Sequence, residues 1–135
     1  MEKIKVLISW SGDNYFAGTD QVNGTVFATH KDINKVKAEF ETAFAFHIKS
    51  SLADGDKLSA DLQNGRYQFE YELLISAILH KYENFITLSA IHKVTGINER
   101  QLGHYKTGKK KPRPQQRDKI VEGLHTIGKE LLEVV

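Results

Sequence analysis

Residues 66–73, RYQFEYEL, alternate strictly between polar and apolar or aromatic side chains, and no later stretch does so again. Period two belongs to a half-buried strand, whereas the apolar residues beyond residue 73 recur at spacings of three and four, the repeat of a helix. A periodicity that changes once and for good predicts an α+β chain in two parts, a sheet-bearing module over 1–72 and an all-helical module over 73–135.

Within the first module, Ile4, Val6 and Ile8 alternate with Lys5, Leu7 and Ser9 and lead into Trp10, which predicts a strand ending at an SGDN turn. Tyr15–Thr19 is the expected return strand. DQVNG at 20–24 is loop or bulge material pivoting on Gly24, and residues 25–29 form a third strand. From Asp32 the residues Ile33, Val36, Phe40, Ala43, Phe44, His47 and Ile48 define an amphipathic helix with Thr29 or Asp32 as its cap. Residues 51–65 read as a connection, and 66–72 supply a fourth strand, giving β-β-β-α-β. Trp10, Tyr15, Phe16, Phe40 and Phe44 are assigned to the core between sheet and helix rather than to a stacking platform for nucleic acid. The second module reads as helices over 73–80, 88–94, 99–106 and 115–132, the last with Ile120, Leu124, Ile127 and Leu131 on one stripe.

Composition narrows the function. The 135-residue chain has no cysteine, which excludes disulfides and thiolate zinc sites. No apolar run approaches membrane-spanning length and the first residues do not resemble a cleaved leader, so a soluble, cytoplasmic protein is expected. The net charge of +2 conceals an asymmetry: residues 1–86 hold 9 Lys/Arg against 12 Asp/Glu, or −3, and residues 87–135 hold 10 against 5, or +5. The basic part is the one suited to nucleic acid.

That part contains VTGINERQLGHYKTGKKKP at 94–112. A helix-turn-helix needs a tight turn, apolar residues locking the two helices, and polar residues on the outer face of the second. Ile91 and Val94 are the expected inner face, Gly96 the turn, Ile97 the plug, Asn98 the cap, and Leu102 and Tyr105 the buried side. Glu99, Arg100, Gln101, His104 and Lys106 then point outward. Arg and Gln can make bidentate contacts to guanine and adenine, and Lys109, Lys110, Lys111 and Arg113 suit phosphates. The predicted DNA-binding set is therefore Asn98, Arg100, Gln101, His104, Lys106, Lys109, Lys110, Lys111 and Arg113. One departure stands in the first helix, where His92 takes the place, four residues before the turn glycine, that a small alanine usually holds. A histidine there either loosens the approach of the helices or is accommodated by a hydrogen bond.

The segments KVLISWSGDNYFAGTDQVNGTVFATHKDINKVKAEFETAFAFHI and YQFEYEL, followed by LSAIHKVTGINERQLGHYKTGKKKPRPQQRDKIVEGLHTIGKELLEV, together resemble the HicB family of antitoxins that carry a C-terminal helix-turn-helix. The resemblance implies a partial ribonuclease H-like first module that neutralises a small basic HicA-type RNA-cleaving toxin, and a second module that binds operator DNA as a homodimer or higher homo-oligomer. It assigns no toxin-binding residues here. Where the family commonly has a proline before the glycine matching Gly24, this chain has Asn23. The alternative is a stand-alone helix-turn-helix repressor whose first module dimerises or senses a ligand. A metal-dependent nuclease needs converging carboxylates, and the first strand has none; Glu70 and Glu72 read as a solvent face. Neither enzyme activity, cofactor nor metal is expected. His30, His47, His80, His92 and His125 have no metal-ligand spacing and read as surface or core side chains.

Overall fold

Alternation in the first strand is realised as burial: Ile4, Val6 and Ile8 are fully covered while Lys3, Lys5 and Leu7 face the other way. The computed structural model describes residues 1–135 and divides them into two units, Met1–Leu74 and Ile75–Val135. It is mixed α+β, with one four-stranded sheet and six helices.

In the first unit, β1 (Glu2–Ser11) and β2 (Asn14–Thr19) form a hairpin closed by Gly12 and Asp13, with Ser11 opposite Asn14. β3 (Val26–His30) adds antiparallel to β2 with Ala17 opposite Ala28, one residue later than the pattern predicts. The DQVNG loop is pinned rather than free. Gln21 replaces a strand neighbour for the start of β1, accepting from Lys5 N at 2.6 Å and donating to Lys3 O at 3.2 Å, while Val22 is buried beneath it.

Helix α1 (Ile33–Ala53) starts at Asp32, whose carboxylate accepts from Lys35 N at 2.9 Å, so Asp32 and not Thr29 is the cap. It runs five residues past Ile48. A one-turn helix α2 (Ala60–Gln63), capped by Ser59, occupies part of the expected connection. The chain then returns as β4 (Tyr67–Leu73), parallel to β1, giving the order β3-β2-β1-β4. A parallel return needs a crossover, which α1 supplies.

Phe40 and Phe44, both fully buried, meet Phe69 edge-on at ring distances of 5.5 and 5.1 Å, and Phe44 also meets Tyr67 at 5.0 Å. Trp10 packs edge-on against buried Tyr15 at 4.9 Å. Phe16 corrects the core assignment: it is 40% exposed on the sheet face opposite α1, because odd positions along β1 and even positions along β2 point there. Glu70 and Glu72 share that open face and pair with Lys3 and Lys5 at 3.4 and 3.6 Å. Nowhere do three or more His, Asp or Glu side chains gather closely enough to hold a metal ion.

The second unit begins later than the apolar run suggests. Leu73 still pairs with Ile8, and Leu74 N donates to Ile8 O, so the parallel ladder overrides helical propensity until α3 (Ile75–Lys81). α4 (Leu88–Thr95), α5 (Glu99–Lys106) and α6 (Pro114–Leu132) follow. Ile75, Leu79, Ile91, Ile97, Leu102, Tyr105 and Ile120 form their common core. The α6 stripe only partly enters it. Ile120 is buried and Leu124 and Ile127 are half-buried, but Leu131 is 65% exposed because the shorter helices end before α6 does. No helix is long and apolar enough to cross a membrane.

Candidate nucleic-acid interface

The α4–α5 turn is built by a few interlocking bonds. Thr87 caps α4 by accepting from Ala90 N at 3.0 Å. At the other end Gly96 adopts φ +77°, a left-handed conformation that costs glycine little, and its N–H closes onto His92 O at 2.8 Å. Thr95 ties both sides together, its hydroxyl donating to Ile91 O at 2.7 Å and accepting from Ile97 N at 3.2 Å. Ile97 is thereby driven into the core, and Asn98 Oδ1 caps α5 through Gln101 N at 2.9 Å.

His92 is accommodated by a hydrogen bond. Its Nδ1 lies 2.8 Å from Ile97 O, and since a carbonyl only accepts, the ring donates from Nδ1 and clasps the turn from outside. The tight helix approach is instead between α4 and α6. A methyl built on Gly123 would stand 2.6 Å from Thr95 Cγ2 and 3.0 Å from Val94 Cγ2. This corrects the placement of Val94, which is 43% exposed at the rim of the α4–α6 contact rather than inside the α4–α5 pair.

Of the predicted outer face of α5, Glu99 and Arg100 are exposed. Three others are only half-exposed. Gln101 donates to the hydroxyl of buried Tyr105 at 2.8 Å, one helical turn on, which fixes its amide plane. Lys106 turns back to Glu83 at 3.7 Å, a carboxylate that also meets His80 Nδ1 at 2.9 Å. His104 has its Nδ1 sealed from solvent without a hydrogen-bond partner. Burial first, then the charges of Lys109, Lys110 and Arg100, hold its imidazole below the usual histidine value. The side chain of Asn98 is engaged in its cap.

After α5 the chain bends, Lys110 N donating to His104 O at 3.1 Å, and Lys109, Lys110, Lys111 and Arg113 are all exposed. Arg100, Lys109 and Lys110 thus share one neighbourhood around His104. An open groove of about 440 Å³ is lined by Gln101, Tyr105, Lys110, Lys111, Arg113 and Gln116. A second, of about 560 Å³, runs along Gly96, Asn98, Gln101, Gln116 and Lys119. Gln116 and Lys119 border this surface yet sit beyond the motif, on α6, whose packing brings them alongside. Chemically the surface offers clustered cations and one exposed guanidinium on a capped helix. Comparisons with protein-family models, curated proteins and solved structures find no match.

Proposed function

We propose that this chain is a HicB-like antitoxin that represses its own operon. In this reading α4 and α5 are a helix-turn-helix, α5 enters the major groove of operator DNA, and Arg100 reads a base edge. Lys109, Lys110, Lys111 and Arg113 neutralise flanking phosphates, with Gln101, His104 and Asn98 lining the same surface. The observation that carries the DNA half is the left-handed Gly96 turn locked over Ile97, with exposed Arg100 and four cations beyond it. Two copies would hold a pseudo-palindrome with half-sites about 34–36 Å apart.

The first unit, a β-β-β-α-β module carrying 8 Lys/Arg against 11 Asp/Glu, would hold a small basic HicA-type RNA-cleaving toxin, an association that its negative charge favours. Its resemblance to the partial ribonuclease H-like module of the family supports this half. The carboxylates Glu70 and Glu72 are engaged with lysines, which fits binding rather than metal-assisted cleavage. The complex belongs in the cytoplasm, where RNA and operator both lie.

The test is to coexpress the tagged chain with its native genomic neighbours, weigh the intact complex by mass spectrometry, and assay it on RNA and on its own promoter. A small stoichiometric partner whose RNA cleavage is silenced in the complex, together with a promoter shift, is the expected result. No partner and no preference for promoter over random DNA would refute both halves.

A further inference from the structure

We propose that His104 is a specificity-determining residue of the α5 surface, and that it reads an acceptor on a base edge, chiefly that of guanine, as a neutral ring whose only proton is held at Nε2. The inference rests on the proposed DNA reading and names the chemistry of one contact within it. It starts from His104 Nδ1, a polar atom sealed from solvent with no hydrogen-bond partner. A hydrogen on that atom would be a buried donor with nothing to accept it, one of the costlier defects a fold can carry. A neutral imidazole has only one N–H, so its proton goes to Nε2, the nitrogen that is open to solvent on this half-exposed side chain.

The surroundings keep the ring in that state. The charges that act on it are Arg100 from its own helix and Lys109 and Lys110 from the segment after it, and all three are cations. Protonation would add a fourth positive charge and place the second N–H on the sealed atom. The lysines are held close by the backbone of the same residue, because His104 O accepts from Lys110 N at 3.1 Å and from the Thr107 hydroxyl at 3.3 Å. To a partner, the side chain therefore presents a single donor, with no acceptor and no formal charge.

His104 follows Arg100 by four residues and so lies one turn further along the same face of α5. Four residues rise about 6 Å, against about 3.4 Å per base step, so in the major groove the two side chains address positions one or two base pairs apart. Gly103 adds no side chain to that strip, and the space beside it is open. Guanine shows two acceptors there, N7 and O6, side by side; adenine sets an amino donor next to its N7, and cytosine shows a donor alone. A side chain that can only donate meets guanine through either atom, finds adenine's amino group crowding its one acceptor, and is opposed by cytosine. Glutamine and asparagine, which donate and accept together, favour adenine instead.

The experiment has two arms, both on the full chain. In the first, the ring nitrogens of His104 are read by NMR of nitrogen-15-labelled protein above the ordinary histidine value of about 6.5, the signals being assigned by their loss in His104→Gln. A proton on Nε2 and none on Nδ1 is expected; a proton on Nδ1, or averaging between the two nitrogens, overturns the proposal. In the second, wild type, H104Q and Arg100→Ala each select preferred sequences from a random DNA library. Wild type should prefer guanine by about two- to tenfold at one position, within two base pairs of the position that Arg100→Ala relaxes, and H104Q should move that preference to adenine. A guanine preference unchanged in H104Q overturns this proposal and leaves the DNA reading standing, whereas wild type selecting no sequence at all overturns both. His104→Asn, which also joins a donor to an acceptor, carries the second arm and the assignment if circular dichroism shows that glutamine disturbs the fold.

Discussion

Gly123 sits at mid-helix in α6, where glycine costs about 0.8–1 kcal/mol relative to alanine, and yet alanine there should destabilise the second unit. The added methyl would be 2.6 Å from Thr95 Cγ2, closer than carbon atoms pack without a shift of one of them. Thr95 cannot turn away freely, because its hydroxyl is held between Ile91 O and Ile97 N; releasing those bonds costs about 1 kcal/mol. Adding overpacking of about 1–3 kcal/mol and subtracting the gain in helix propensity leaves a net loss of about 1–3 kcal/mol for Gly123→Ala. With an m-value near 1 kcal/mol/M for a unit of this size, the urea midpoint should fall by about 1–3 M. Gly128→Ala is the control, since the same helix leaves its added methyl nothing within 4 Å, and that variant should gain about 0.5–1 kcal/mol. Thr95→Ser removes the offending methyl and keeps the hydroxyl, so in the double variant the loss should be well below the sum of the singles. If G123A and G128A behave alike, or the double-variant cycle is additive, the α4–α6 contact is not where it is described.

The remaining predictions concern the proposed DNA surface. Arg100→Ala should cost on the order of 1–3 kcal/mol on the preferred operator and relax base preference, whereas Lys110→Ala should weaken all sequences alike and flatten the salt slope by about one; equal effects on specific and random DNA in fluorescence anisotropy would show that α5 is not the reading helix. Gly103 is a helical glycine with nothing within 4 Å of an added methyl, so Gly103→Ala should stabilise the fold by about 0.5–1 kcal/mol while weakening operator binding, and a variant that melts higher and binds unchanged would remove close DNA approach as the reason for the glycine. The lowered pKa of His104 favours its neutral form in the fold, so its contribution to stability is present above the unfolded value near 6.5 and is lost as pH falls through the lower folded value; His104→Asn should flatten urea midpoints measured across that acid window, and an unchanged pH profile would contradict the sealed Nδ1.

The parts of the fold that periodicity reveals are those where one face is buried by regular neighbours. β1 and β4 alternate because α1 covers one side of the sheet only, and the α5 boundaries, Glu99–Lys106, are readable because a cap, two buried positions and a run of breakers mark them locally. The misplacements have long-range causes. Leu73 and Leu74 look helical, and only their pairing with β1, some sixty residues earlier, keeps them extended. Phe16 looks like core because aromatic residues usually are, but strand parity relative to α1 decides its face. At the candidate site the pattern correctly separates Leu102 and Tyr105 from Arg100, yet it cannot foresee that Glu83 draws Lys106 inward or that Tyr105 engages Gln101. Such half-exposed positions depend on which partner lies within reach, and no local spacing encodes that.

These withdrawals reshape the expected balance of DNA recognition. With Lys106 in an ion pair, Asn98 in a cap and Gln101 tethered, each α5 offers one fully exposed side chain suited to bidentate base reading, Arg100, against four exposed cations just beyond it. Phosphate contacts set register and affinity but carry little sequence information. A single copy should therefore bind DNA with a steep salt dependence, roughly 0.9 in log–log slope per phosphate engaged, and with weak preference. Two guanidiniums held at a fixed half-site spacing would multiply that preference, since discrimination energies at separated positions are roughly additive. Specificity in this protein is accordingly expected to depend on association more than affinity does. In the proposed reading, separating the two copies should collapse the difference between operator and random DNA while leaving much of the salt-dependent binding in place.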